Sequence, residues 1–104
     1  MSEPIIVINT FTLRDGMQDE FVRMQAEFGS RRLAGAVPGF RASRMYRSVD
    51  GSRATLISEF DSVESHKALL ASPHFEEHRE KLRPYIVRAE PAYYQLAYKR
   101  RSEG

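Results

Sequence analysis

The chain lacks cysteine altogether, and tryptophan as well. Without cysteine there is no disulfide framework, no thiolate nucleophile and no Cys-based zinc or iron–sulfur centre. Strong charge is also missing: 16 Lys and Arg face 14 Asp and Glu, a formal net charge of +2. The one dense basic run, Lys99, Arg100 and Arg101, reads as a solvated tail and not as a nucleic-acid site. No apolar stretch is long enough to span a bilayer, and "MSEPIIVINTFTL" has neither a basic leader nor an uninterrupted apolar core. A cytoplasmic protein with no nucleic-acid or membrane partner is expected.

The 104 residues allow one domain, with a core at about 4–99 and a basic tail at 100–104. A 41% hydrophobic and 29% charged composition is that of an ordinary globular protein. "PIIVINTFTLR", residues 4–14, is rich in β-branched residues and runs into the turn signal Asp15-Gly16, so it is a strand. Ile5, Val7, Asn9 and Phe11 share one side of it, and Ile6 and Ile8 the other. Both sides are apolar, so both need cover.

From Met17 the spacing becomes helical: Met17, Phe21, Met24 and Phe28 form one stripe of a helix expected to run to about Leu33 and to end at Gly35. "VPGF" turns into a second strand, about 40–49, "VDGS" marks a hairpin, and a third strand follows over about 53–60. Asp61 or Ser62 caps a helix from Val63; Pro73 after Ser72 interrupts it and starts another, expected to reach about Ile86. "PAYYQLAYK", residues 91–99, is expected to supply the last strand. The order strand, helix, strand, strand, helix, strand predicts an α+β, ferredoxin-like βαββαβ domain: a four-stranded antiparallel sheet with its helices on one face. The other face calls for a second sheet, and a homodimer in which two sheets pack together, a dimeric α+β barrel, is expected.

Within "LLASPHFEEHREKL", residues 69–82, Phe75, His78 and Leu82 fall on the stripe that faces the sheet. Val63, His66 and Leu69 or Leu70 do the same on the preceding helix, whereas His74 stands beside the proline start, outside the stripe. An inward histidine is often a satisfied core residue, yet two aimed at one sheet suit a cavity with a neutral imidazole as proton acceptor. A metal site is not expected, since HExxH is absent and only one of His74 and His78 points inward. Asn9 is depleted from strand interiors as a residue type, and between Val7 and Phe11 it is either a hydrogen-bonded buried amide or a ligand contact. With Phe11, Met24, Phe28, Phe60 and Phe75 as walls, such a cavity suits a flat apolar molecule bearing oxygen substituents.

"VINTFTL", "VPGF", "YRSVDGSRATLISEF", "SVESHKALLASPHFEEH" and "AEPAYYQLAY", in this order, resemble the antibiotic biosynthesis monooxygenase family over about residues 5–98. The resemblance implies dimeric α+β barrels of ferredoxin-like subunits. It points most closely to the small oxygenases that convert polyketide anthrones or naphthacenones to quinones without metal or flavin, using dioxygen. It also implies that Asn9 binds substrate or stabilises an enolate; beside it, the two inward histidines make His78 or His66 the expected base. The chain departs from the family's third-strand Asn-x-x-x-Trp pattern, carrying Leu56 and Phe60 at those places. The family's heme-degrading members suggest an alternative in which His78 ligates heme iron. They carry a tryptophan where Leu69 stands here, which counts against that alternative. A third possibility is a small-molecule-binding dimer without catalysis.

Overall fold

A computed structural model describes residues 3–28 and 37–102 of the chain. Strands β1 (Ile5–Leu13), β2 (Phe40–Arg47), β3 (Arg53–Phe60) and β4 (Ile86–Tyr94) form one sheet, ordered β2-β3-β1-β4, with every neighbouring pair antiparallel. Helices α1 (Gln18–Phe28), α2 (Val63–Leu70) and α3 (Pro73–Leu82) complete the expected α+β, ferredoxin-like arrangement. The molecule is a slab of 41 × 40 × 22 Å, the thickness of one sheet and one helical layer.

Val7, Phe11 and Leu13 of β1 are buried on the side that also receives Ala54, Ser58 and Phe60 of β3, so Asn9 shares that side by the two-residue period. Ile6 and Ile8 point the opposite way, in register with Glu59 and Ile57 and with Tyr94 and Ala92. They are only partly buried, and Tyr46 and Tyr94 are 54% and 50% exposed.

The densest packing lies at one end of the layer. Phe21 of α1 is fully buried against Phe11, with ring centroids 4.9 Å apart, and Leu13, Ala54 and Leu82 close around them. Gln18, at the start of α1, donates from Nε2 to the carbonyls of Ser48 and Arg53, both at 2.9 Å, which ties the helix to the β2–β3 hairpin.

The break between α2 and α3 follows from side-chain chemistry. Ser62 Oγ accepts from Ser65 N at 3.1 Å to cap α2. Ser72 caps α3 through Phe75 N at 3.2 Å while donating to Leu69 O at 2.8 Å, so one hydroxyl closes one helix and opens the next. Pro73 takes the first helical position, where no N–H is needed.

Three expectations need correction or delimiting. The last helix does not reach Ile86: α3 ends at Leu82 and a 3-10 turn, Arg83–Tyr85, follows, because Pro84 cannot supply the N–H that would continue it. The last strand is Ile86–Tyr94, not 91–99, since chain leaving that turn pairs at once with the end of β1, Leu13 opposite Ile86. It carries Pro91 internally, which an edge strand tolerates, and residues 95–102 form no helix or strand. The stretch of the first helix expected beyond Phe28, with its stop at Gly35, lies outside the described residues.

Gly39 ties the entry to β2 to the link between β3 and α2. Its φ is +83°, its carbonyl accepts from Asp61 N at 2.7 Å, and a Cβ there would run into the Ser65 side chain. Gly16, with φ +74°, has open space around it. Gly39→Ala is expected to cost about 2–4 kcal/mol, left-handed strain plus overpacking, and Gly16→Ala only about 1–2 kcal/mol, strain alone. Urea denaturation of the two variants measures the difference. Ser65→Gly in the Gly39→Ala background restores the overpacking share and leaves the strain.

Candidate functional site

Away from the Phe11–Phe21 end, the helices and sheet do not close on each other. They enclose a cavity of about 710 Å³, floored by Val7, Asn9, Leu56, Ser58 and Phe60 and roofed by α1, α2 and α3. Its volume and largely apolar lining are those of a small-molecule site. Of the walls expected from sequence, Phe11, Phe28, Phe60 and Phe75 line it. Met24 does not. It lies one position from Gln25, which with Val22 faces the cavity, and Met24 borders instead an outer groove of about 360 Å³ between α1 and α3.

Asn9 sits mid-strand, opposite Leu56 on one side and Pro91 on the other. Neither neighbour's side chain can hydrogen-bond. Asn9 Oδ1 is buried and without a partner among the described residues. An orphaned acceptor of this kind costs about 1–3 kcal/mol, and the amide that carries it lines the cavity floor.

Both inward histidines reach the same cavity, each held differently. His78 is 8% exposed and lies flat on Phe28, with centroids 3.8 Å apart and planes 7° from parallel. Its Nε2 is 2.6 Å from Gln25 Oε1. A carbonyl oxygen only accepts, so the imidazole carries its proton at Nε2. Burial, aided by the Lys81 charge, lowers the His78 pKa to about 4. His66 lies edge-on to Phe60 at 5.0 Å, and its Nδ1 is 2.8 Å from the Tyr93 hydroxyl. Burial lowers its pKa too. At neutral pH both rings are uncharged.

His74 borders the outer groove with Glu20, Glu27 and Glu77. Among the described residues no three His, Asp or Glu side chains come together as a metal site. No helix among them is long and apolar enough to cross a membrane. Gln25, Ser58 and Tyr93 were not singled out from sequence. Only position could have found Gln25, which stands three residues before Phe28, one turn along the same helix face.

A family model described as antibiotic biosynthesis monooxygenase matches residues 4–81. The chain belongs to that family. No curated protein matches it. Solved structures agree on the fold at low identity. SnoaB, a cofactor-independent oxygenase from Streptomyces nogalater, superposes with a TM-score of 0.80 at 21% identity, covering 94% of this chain and 97% of its own. Rv0793 from Mycobacterium tuberculosis gives 0.76 at 20% identity, covering 92% and 97%. PA3566 from Pseudomonas aeruginosa gives 0.76 at 17% identity, covering 93% and 98%. Leu56 and Phe60, the two third-strand residues singled out from sequence, both lie in the cavity wall.

The depressed His78 pKa has a consequence for stability. The unfolded chain binds this proton near pH 6.5 and the folded chain near 4. The stabilisation is complete above about 6.5 and is lost as pH falls toward about 4. His66 acts in the same direction. Unfolding free energy measured across that window is expected to fall more steeply with acidification in the wild type than in His78→Gln. The difference stays below the one-proton slope of about 1.4 kcal/mol per pH unit, because the ring keeps some solvent contact. Equal slopes would refute it.

Proposed function

We propose that the protein is a cofactor-independent monooxygenase that converts an anthrone-like polycyclic phenolic substrate to a quinone. The observation that carries this reading is the unpartnered Asn9 Oδ1 in the floor of an apolar cavity shared with two neutral histidines. Membership of the monooxygenase family and the fold shared with SnoaB support it.

The chemistry is a deprotonation followed by electron transfer to dioxygen. A neutral imidazole removes a proton from the carbon opposite the ketone, and the electron pair is left on an extended enolate. The Asn9 amide donates from Nδ2 to the enolate oxygen and so lowers the barrier to proton loss. The enolate carbon reduces dioxygen and forms a C–O bond. The resulting peroxide loses water, so that one anthrone and one dioxygen yield one quinone and one water. Aromatic walls formed by Phe28, Phe60 and Phe75 hold the flat substrate and keep bulk water from the intermediate.

The heme alternative fits the residues poorly. An axial ligand needs a free imidazole nitrogen with open space beyond it. The His78 Nε2 is bonded to Gln25, and Phe28 covers one ring face.

We also propose, as part of this reading, that the protein is cytoplasmic and works as a homodimer through the open face of the sheet. The accessible surface of 7644 Å² exceeds the roughly 6,000 Å² expected for a compact 12.0 kDa monomer. The exposed face carries Ile6, Ile8, Ile57, Tyr46 and Tyr94, and a second copy of the same face would cover them.

Purified protein mixed with anthrone under air is expected to consume oxygen and form quinone faster than buffer does. Asn9→Ala should lower kcat about 100-fold, and a rate indifferent to that change would overturn the assignment. Hemin titration is expected to give a broad Soret shift unaltered by His78→Ala; a sharp band lost in the variant would favour the heme alternative. For the assembly, light scattering should give twice the chain mass for the wild type and the single mass for Ile57→Arg.

A further inference from the structure

The proposed chemistry leaves the base unassigned between two histidines, and the structure separates them. In an imidazole, Nδ1 lies beside the attachment to the side chain and Nε2 is the ring tip, the atom with the longer reach. His78 spends its tip on Gln25 and one ring face on Phe28. His66 makes its hydrogen bond with the inner nitrogen, at 2.8 Å from Tyr93 Oη, and its tip makes none among the described residues. His66 lines the cavity, whereas Tyr93, on the edge strand β4, stands behind it and is 42% exposed. The two rings meet edge to face at 5.4 Å.

Building on the oxygenase reading, we propose that His66 and Tyr93 form a proton relay through the cavity wall, in which His66 is the base and Tyr93 the positioning residue that passes a proton to solvent. The resting tautomer has Nδ1–H donating to Tyr93 Oη, and the Tyr93 O–H donating to water. This leaves the Nε2 lone pair, and not an unpaired N–H, in the apolar cavity, the arrangement in which no buried donor is orphaned. Nε2 takes the substrate proton. The Nδ1 proton moves to Tyr93 Oη as the phenolic proton leaves to water, so one proton enters and one leaves. His66 ends with its proton on Nε2 and an acceptor at Nδ1, and it resets when Nε2–H passes to the peroxide while Nδ1 takes a proton back from Tyr93 O–H and Tyr93 takes one from water, so the ring stays neutral and returns to Nδ1–H. The delivered proton thus equips the same ring to protonate the departing oxygen.

Two measurements test the relay. Two-bond nitrogen–proton NMR spectra of the imidazoles, in the intact protein without substrate, are expected to show His66 mainly as the Nδ1–H tautomer and to show Tyr93→Phe shifting it toward Nε2–H. His66 found mainly as Nε2–H in the wild type, or a tautomer unmoved by Tyr93→Phe, would overturn the proposal. In the anthrone assay Tyr93→Phe should lower kcat about 10-fold with KM within about twofold, and His66→Gln should lower kcat about 100-fold. Circular dichroism of both variants checks that they fold. An unchanged kcat in Tyr93→Phe overturns the relay even if His66→Gln is inactive. If the wild type does not oxidise anthrone, the oxygenase reading fails by itself, and the tautomer measurement still decides the His66–Tyr93 pair.

Discussion

Phe21 packed against Phe11 is the contact on which the rest of the structure leans. It fixes how far α1 stands from the sheet, and it does so at one end only, where Leu13, Ala54 and Leu82 complete the packing. At the other end the cover is split between α1 and two short helices separated at Ser72, and among the described residues this divided cover does not fill the space that one continuous helix would. The cavity is the geometric remainder. Burying a side chain such as Phe21 contributes about 1.5–3 kcal/mol, comparable to the cost of leaving the Asn9 carbonyl unpaired. A strand with an asparagine at its centre is therefore sustained by the well-packed half of the same strand.

The same division governs the electrostatics. No charged side chain is needed to lower the pKa of either histidine; removal from water is the cause for His66 and the larger cause for His78. Two neutral imidazoles result, but the neighbouring groups give them different freedom. His78, stacked on Phe28 and held by Gln25, is a wall whose orientation is fixed by π-stacking and a short hydrogen bond. His66 has a partner that can both accept and donate, since a phenol does either. Chemistry that needs a proton to move favours the second environment, and structural rigidity favours the first.

Much of this could be read from sequence because it depends on periodicity. The two-residue period put Asn9 on the face of Val7 and Phe11, and the helical stripe put His78 with Phe75 and Leu82; both hold in the structure. Ser62 and Pro73 announced the helix starts by local chemistry. The last strand was misplaced because its first half, "IVRAE", carries alternating charge suited to an edge with one wet side, and Pro91 looked like a boundary. Gln25 and Tyr93 escaped notice for another reason. They meet histidines 53 and 27 residues away, and no spacing rule within one element encodes such a pairing. The stripe also could not say whether Met24 would face the cavity or the groove beside it, since a helix face about a hundred degrees wide spans both.

The register opposite Asn9 has a bearing on selectivity. Leu56 and Pro91 flank it across the two neighbouring strands, so at its own register position the amide is set between apolar side chains. A guest oxygen placed there gains a hydrogen bond in a medium of low dielectric, and a guest lacking it leaves the buried amide unpaired. Sites of that construction discriminate by about 10⁴–10⁵ against the analogue without the polar group, whereas apolar walls distinguish one methylene by only about 10–200-fold. For the proposed reaction this makes the ketone oxygen of the substrate the feature that the protein reads most strictly. In the same proposal the periphery of the ring system lies along Phe28, Phe60 and Phe75, which distinguish guests mainly by shape. Leu56 in place of a second amide sharpens this asymmetry, because across the β1–β3 register Asn9 then faces only carbon.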